Sequence, residues 1–113
     1  MKLLVIILND LHFLDEILNA FLKLEVKGAT LLESEGMLKS VLKSEGLSYF
    51  FRDLFAGYNP DGSKDSKTIF SVMKDDAQVD EVVKAVQAIL HQSKNESTGF
   101  MFTVPVAKVY PLK

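Results

Sequence analysis

The side chains suited to acid–base or metal chemistry are few, and they fall at helix ends and helix surfaces. His12 stands near the start of a first predicted helix and His91 near the end of a second, where surface histidines are ordinary. The acidic residues form adjacent pairs on the polar sides of the same helices, at Asp15–Glu16 and Asp80–Glu81. Solvated surface is the simpler interpretation of those pairs, so we predict no catalytic residue and no metal ligand.

Nucleophilic and phosphoryl-transfer chemistry also lacks a motif. The tripeptide SEG occurs at 34–36 and 44–46 without a G-x-S-x-G context, and no P-loop is present. An acylphosphatase-like enzyme would need an arginine cradle for phosphate, but the single arginine, Arg52, falls in a predicted loop. We therefore predict a protein that is not an enzyme and has no cofactor.

Composition narrows the class of partner and the compartment. A net charge of −2 with one arginine gives no basic stripe for nucleic acid. The chain has no cysteine, which fits a reducing compartment. The apolar run at residues 3–8 stops at Asn9, too short for a membrane span and without a signal cleavage site. These features favour a cytoplasmic protein that binds no nucleic acid and does not span a membrane.

A weak internal repeat organises the chain. The segment LDEILNAF at 14–21 returns as VDEVVKAV at 79–86, an offset of 65 residues that also pairs Asp10 with Asp75. The same offset places the apolar run 4–8 over residues 69–73. The repeat predicts two related halves, each with a strand followed by a helix.

Each half is predicted to be a β-α-β unit. The first has a strand at 3–8, a helix capped by Asn9 or Asp10 and ended by Lys27 and Gly28, and a strand at 29–35. The second has a strand at 67–74, a helix with a capping box at Asp75 and Gln78, and a strand in FMFTVPVAKV after Gly99. Pro105 places that last strand at a sheet edge, or with its nitrogen facing away from its neighbour.

The order β-α-β-β-α-β predicts an α+β, ferredoxin-like fold, with two helices on one face of a four-stranded antiparallel sheet. One face of such a sheet stays uncovered, yet the first strand is apolar on both sides. With 113 residues forming a single domain, 1–113, other copies of the chain are the expected cover. The sequence therefore predicts a homo-oligomer.

Four segments in order resemble the PII (nitrogen regulatory protein P-II) signalling family. They are KLLVIIL at the start, GATLLESEGM at 28–37, VDEVVKAVQAIL at 79–90 and TGFMFTVPVAKV at 98–109. The resemblance implies a homotrimer with its sheets facing inward, which binds a small ligand such as an adenine nucleotide in clefts between subunits. It also implies a long loop between the second and third strands, here 38–66, that docks on a protein target.

The resemblance also implies the residues of the ligand cleft. Those at or beside the matching positions are Thr30, Gly36, Met37, Thr98, Gly99 and Phe100. Phe100 is a departure, because the family has a phosphate-binding lysine directly after this glycine. The sequence does not identify the ligand.

The 38–66 loop carries a cluster of aromatic side chains, which includes Tyr49, Phe50, Phe51 and Phe55. These residues either close part of a cleft as a lid or meet a partner protein, since aromatic side chains dominate interface energies. The lid is the more economical interpretation, because closed oligomers rarely expose large apolar patches. An alternative function is a metal-binding trimer of the similarly folded divalent-cation-tolerance type.

Overall fold

The computed structural model describes residues 1–37, 66–94 and 98–113. Within them, the elements follow in the order β1 (Lys2–Leu8), a 3₁₀ turn (Leu11–Phe13), α1 (Leu14–Lys23), β2 (Thr30–Ser34), β3 (Ser66–Met73), α2 (Asp76–Leu90) and β4 (Gly99–Pro105). The strands of these residues form one antiparallel sheet in the order β2-β3-β1-β4. The predicted α+β, ferredoxin-like fold is confirmed.

The start of α2 confirms the predicted cap at Asp75. The Gln78 backbone N–H donates to the Asp75 carboxylate at 2.8 Å, and the Gln78 side-chain oxygen accepts from the Lys74 N–H at 2.9 Å. The side chain of Gln78 thus reaches one residue further back than in the usual capping box, which closes on the cap residue itself. Asp10 is the counterpart of Asp75 in the first half, and its carboxylate accepts from the His12 N–H at 3.3 Å.

The predicted end of α1 at Lys27 and Gly28 is wrong, because α1 ends at Lys23. Glu25 takes the left-handed conformation, with φ of 61°, and the Val26 N–H donates to the Phe21 carbonyl at 2.9 Å. This is a Schellman motif in which the two apolar side chains, Phe21 and Val26, are both buried. Burial of that pair stops the helix earlier than the glycine would.

One face of the sheet, the covered face, packs against both helices. Its buried strand residues are Leu4, Ile6, Leu8, Ile69 and Met73. The helices contribute Ile17, Phe21, Val79, Val82 and Val86 to the same cluster. Burial here follows the 3.6-residue spacing of the helices and the two-residue alternation of the strands.

The opposite face, the open face, is also apolar. Strand alternation and register place on it Leu3, Val5, Ile7, Phe70, Val72, Phe100, Phe102 and Val104. Phe100 and Phe102 stack with ring centroids 6.0 Å apart and remain 61% and 44% exposed. The sequence prediction that both faces are apolar is therefore confirmed.

β4 lies at a sheet edge, as Pro105 predicted. The Asn9 N–H donates to the Thr98 carbonyl at 2.9 Å and the Val106 N–H to the Met1 carbonyl at 3.1 Å. Because bonded pairs alternate along an antiparallel ladder, the nitrogen of Pro105 points away from β1. β4 ends at this proline, so the prediction that the strand continues through residues 106–109 is wrong.

Candidate functional site

The predicted cleft residues lie in two groups on opposite edges of the sheet. Thr30 begins β2, and Gly36 and Met37 follow the end of that strand. Thr98 directly precedes β4, and Gly99 and Phe100 begin that strand, at the other edge. The predicted loop residues Tyr49, Phe50, Phe51 and Phe55 lie outside the described residues, as does the whole 38–66 loop except Ser66, which begins β3.

The register shows which ends of the two edge strands correspond. Glu33 pairs with Lys67, Lys67 with Leu8, and Leu8 with Gly99, so these four residues cross the sheet at one level. Gly36, Met37 and the Thr98–Phe100 segment therefore lie toward the same end of the sheet. Thr30 sits three residues away along β2, or about 10 Å.

Two strands separate the groups, and three inter-strand spacings amount to about 14 Å. A single subunit therefore does not bring the predicted cleft residues into one pocket. If they act on one ligand, the β2 end of one copy must meet the β4 start of another.

Gly99 has a structural reason to be glycine. Its φ is +137°, and a Cβ at this position would stand 2.0 Å from the backbone oxygen of Ile7. Close approach of β4 to β1 thus excludes every other residue type. Gly36 has open space around it and φ outside the left-handed range, so nothing in its described surroundings requires a glycine.

Two serine side chains fasten β2 to β3, one from each face of the sheet. The Ser71 hydroxyl donates to the Gly28 carbonyl at 2.7 Å, just before β2 begins. The Ser66 hydroxyl donates to the Ser34 carbonyl at 2.8 Å, where β2 ends. Both serines are buried and their acceptors are more exposed, so each bond is partly shielded from competing water.

A turn at Asn9 and Asp10 holds the second group of predicted cleft residues, Thr98 to Phe100. Besides the bond from Asn9 to Thr98, the Ser93 hydroxyl donates to the Asp10 carboxylate at 2.9 Å. The sequence predicted Asn9 or Asp10 as the cap of the first helix; Asp10 caps the 3₁₀ turn before α1 instead, and its contact with Ser93 was not predicted. The two residues are 83 positions apart, and no local pattern signals such a bond.

No group of three or more histidine or acidic side chains in residues 1–37, 66–94 and 98–113 is arranged to hold a metal ion. His12 packs edge-on against Phe13, with ring centroids 5.3 Å apart. No helix in the described part of the chain combines the length and apolar character that a membrane span needs.

Comparison with known proteins gives one finding. The family model for "Nitrogen regulatory protein P-II" matches residues 1–113, the full length of the sequence. No curated protein matches the sequence significantly.

Proposed function

Since the chain belongs to the nitrogen regulatory protein P-II family, whose members are regulatory proteins rather than enzymes, we propose that it is a non-catalytic homotrimer sensing a small ligand between its subunits. Proteins of this family are typically trimeric and bind small ligands. The observation that carries the proposal is the position of the two cleft groups, at one end of the sheet but on opposite edges. Only contact between copies would join them.

The open face supports assembly from a second direction. Phe100, Phe102, Val72 and Val104 are each more than two-fifths exposed in the single chain. Apolar area removed from water contributes about 25 cal/mol per Å², so packing of these faces favours association. A trimer with its sheets inward would cover this surface and bring the edge strands of neighbouring subunits together.

The ligand is proposed to act through the 38–66 loop, which would signal to a protein target in the cytoplasm. β2 leads directly into this loop and β3 follows it, so a ligand at Gly36 and Met37 would touch its base. The aromatic residues Tyr49, Phe50, Phe51 and Phe55 would form its lid or docking surface. An adenine nucleotide is the proposed ligand, held without a lysine at position 100.

The test is a melting-temperature screen of the purified protein with ATP as the main probe, and with ADP and 2-oxoglutarate beside it. A ligand that binds only the folded state adds about 2.7 kcal/mol at a hundredfold excess over Kd. We expect ATP to raise Tm and the solution mass to be that of three chains. A monomeric mass, or no shift with any of the three compounds, would contradict the proposal.

A gain-of-function variant sharpens the test. Phe100→Lys puts an ammonium group beside Gly99, and we expect tighter ATP binding than in the natural protein. Thr103→Lys is the matched control, since it adds the same charge to β4 at an exposed side chain on the other side of the strand. Both variants need their mass measured, because Phe100→Lys places a charge on the open face and ligand binding between subunits requires the assembly.

A further inference from the structure

We propose that Asp10 is a positioning residue for the start of β4, and that it fixes Thr98, Gly99 and Phe100 through the end of α2. This inference rests on the proposed function only in treating these three residues as one wall of a ligand cleft. The positioning itself is a property of the single chain and is tested without any ligand.

One carboxylate connects two elements. One oxygen of Asp10 accepts from the His12 N–H at 3.3 Å and caps the 3₁₀ turn that leads into α1. The other oxygen accepts from the Ser93 hydroxyl at 2.9 Å, three residues beyond the end of α2. Asp10 and Ser93 are both partly buried, so the second bond is partly screened from water.

Asn9, the residue before Asp10, binds the chain just before β4. The Asn9 N–H donates to the Thr98 carbonyl at 2.9 Å, immediately before β4. Residues 94–97 lie between Ser93 and Thr98 in the sequence, so the turn at Asn9 and Asp10 binds the chain before and after them. The segment entering β4 therefore has two fixed points on one turn.

The start of β4 has little room to move. Gly99 already approaches the Ile7 oxygen so closely that a Cβ does not fit. Phe100 follows with its ring on the open face, stacked on Phe102. A shift of the turn at Asn9 and Asp10 on loss of the Ser93 bond would reach Thr98 through the Asn9 N–H, so the bond between Asp10 and Ser93 sets the position of this wall.

The internal repeat supplies a matched control. Asp75 stands 65 residues after Asp10 and performs the same capping role, accepting from the Gln78 N–H at 2.8 Å. Its cap lies at the opposite end of α2 from Ser93. Replacing either aspartate removes a helix cap, but only replacement of Asp10 also releases the end of α2.

The experiment is hydrogen exchange of the ligand-free, full-length protein, followed by mass spectrometry in peptides that cover residues 98–102. We expect Ser93→Ala and Asp10→Ala to raise exchange there by about fivefold, the change that loss of one hydrogen bond gives. Asp10→Asn keeps an oxygen for His12 and an amide that donates to the Ser93 oxygen, so it should restore most of the protection. Asp75→Ala should leave these peptides unchanged.

Equal exchange in the Asp75→Ala and Asp10→Ala proteins would overturn the proposal, since the effect would then be general loss of stability. Unchanged exchange in Ser93→Ala would overturn it as well. Ser93→Ala keeps the cap at His12 and so provides the test if Asp10→Ala does not fold. Absence of ATP binding would count against the proposed function alone, because the exchange result does not depend on a ligand.

Discussion

The two faces of the sheet have nearly the same apolar character but different surroundings within one chain. On the covered face, Leu4, Ile6 and Ile69 are at most 1% exposed beneath the helices. On the open face, Phe100 and Phe102 stand in solvent although they are larger. The covered face accounts for the fold of one subunit, while the open face leaves large apolar side chains exposed in the single chain, as the proposed assembly requires.

The largest loss of stability is expected at Gly99, where β4 lies tightly against β1. Gly99→Ala would put a methyl group 2.0 Å from the Ile7 oxygen at a φ of +137°. We expect β4 to separate locally from β1, with a loss of several kcal/mol in the free energy of unfolding, on the order of 3 or more.

The matched control is Gly36→Ala, because a Cβ at Gly36 meets no atom of the described residues within 4 Å. Denaturant unfolding of the two variants measures the difference. Similar stabilities of the two variants would show that β4 can move away from β1 at no cost in the free energy of unfolding. The two faces would then not belong to one rigid sheet.

The next test uses two neighbouring isoleucines that point to opposite faces. Ile6 is 1% exposed on the covered face, while Ile7 is half-buried on the open face. Ile6→Ala should lower the free energy of unfolding by about 2–5 kcal/mol at every protein concentration, because it leaves a cavity in the core.

Ile7→Ala should cost less within a subunit but should weaken the assembly, so that it dissociates at a higher protein concentration than the natural protein or Ile6→Ala. Sedimentation over a hundredfold range of concentration separates the two outcomes. Dissociation of Ile7→Ala over the same range as Ile6→Ala would show that no copy covers its face.

A charge on the open face should break the assembly while leaving the subunit folded. Phe102→Asp would place a carboxylate among apolar neighbours, and burying it against another copy costs several kcal/mol. We expect sedimentation velocity to show single chains with unchanged far-ultraviolet circular dichroism.

Thr103→Asp is the control, since it adds the same charge to the next residue, on the other side of β4 and exposed. If Phe102→Asp sediments like the natural protein, the open face is not the contact between copies.

The sequence predicted the parts of the fold that depend on local pattern. Strand alternation gave both apolar faces, the offset of 65 residues related Asp10 to Asp75, and Pro105 gave the edge position of β4. The end of α1 was missed because a glycine is the usual left-handed residue, whereas here the buried pair Phe21 and Val26 holds Glu25 in that conformation.

The candidate site was predictable only as separate short segments. Motif matching identified Gly36 and Gly99 together, but it carries no information on the edges where β2 and β4 lie. That separation arises from strand order, which is set by long-range pairing. The bond between Ser93 and Asp10 arises in the same way, through packing of the end of α2 against the start of the first half.

The smallest expected effects concern β2, which carries the first cleft group and is held from both faces. Ser71 binds the Gly28 carbonyl on the covered face, and Ser66 binds the Ser34 carbonyl on the open face. Ser71→Ala and Ser66→Ala should each cost about 1 kcal/mol, because each removes a partly buried hydrogen bond to a backbone carbonyl.

The two serine variants should loosen opposite ends of β2. Amide exchange measured by NMR should rise near Thr30 in Ser71→Ala and near Ser34 in Ser66→Ala, because each bond fixes one end of a five-residue edge strand. A rise at both ends in either variant would show that β2 opens as one unit. In that case the loss of a hydrogen bond on either face would loosen the base of the 38–66 loop. The proposed ligand at Gly36 could then change the loop without acting on the open face alone.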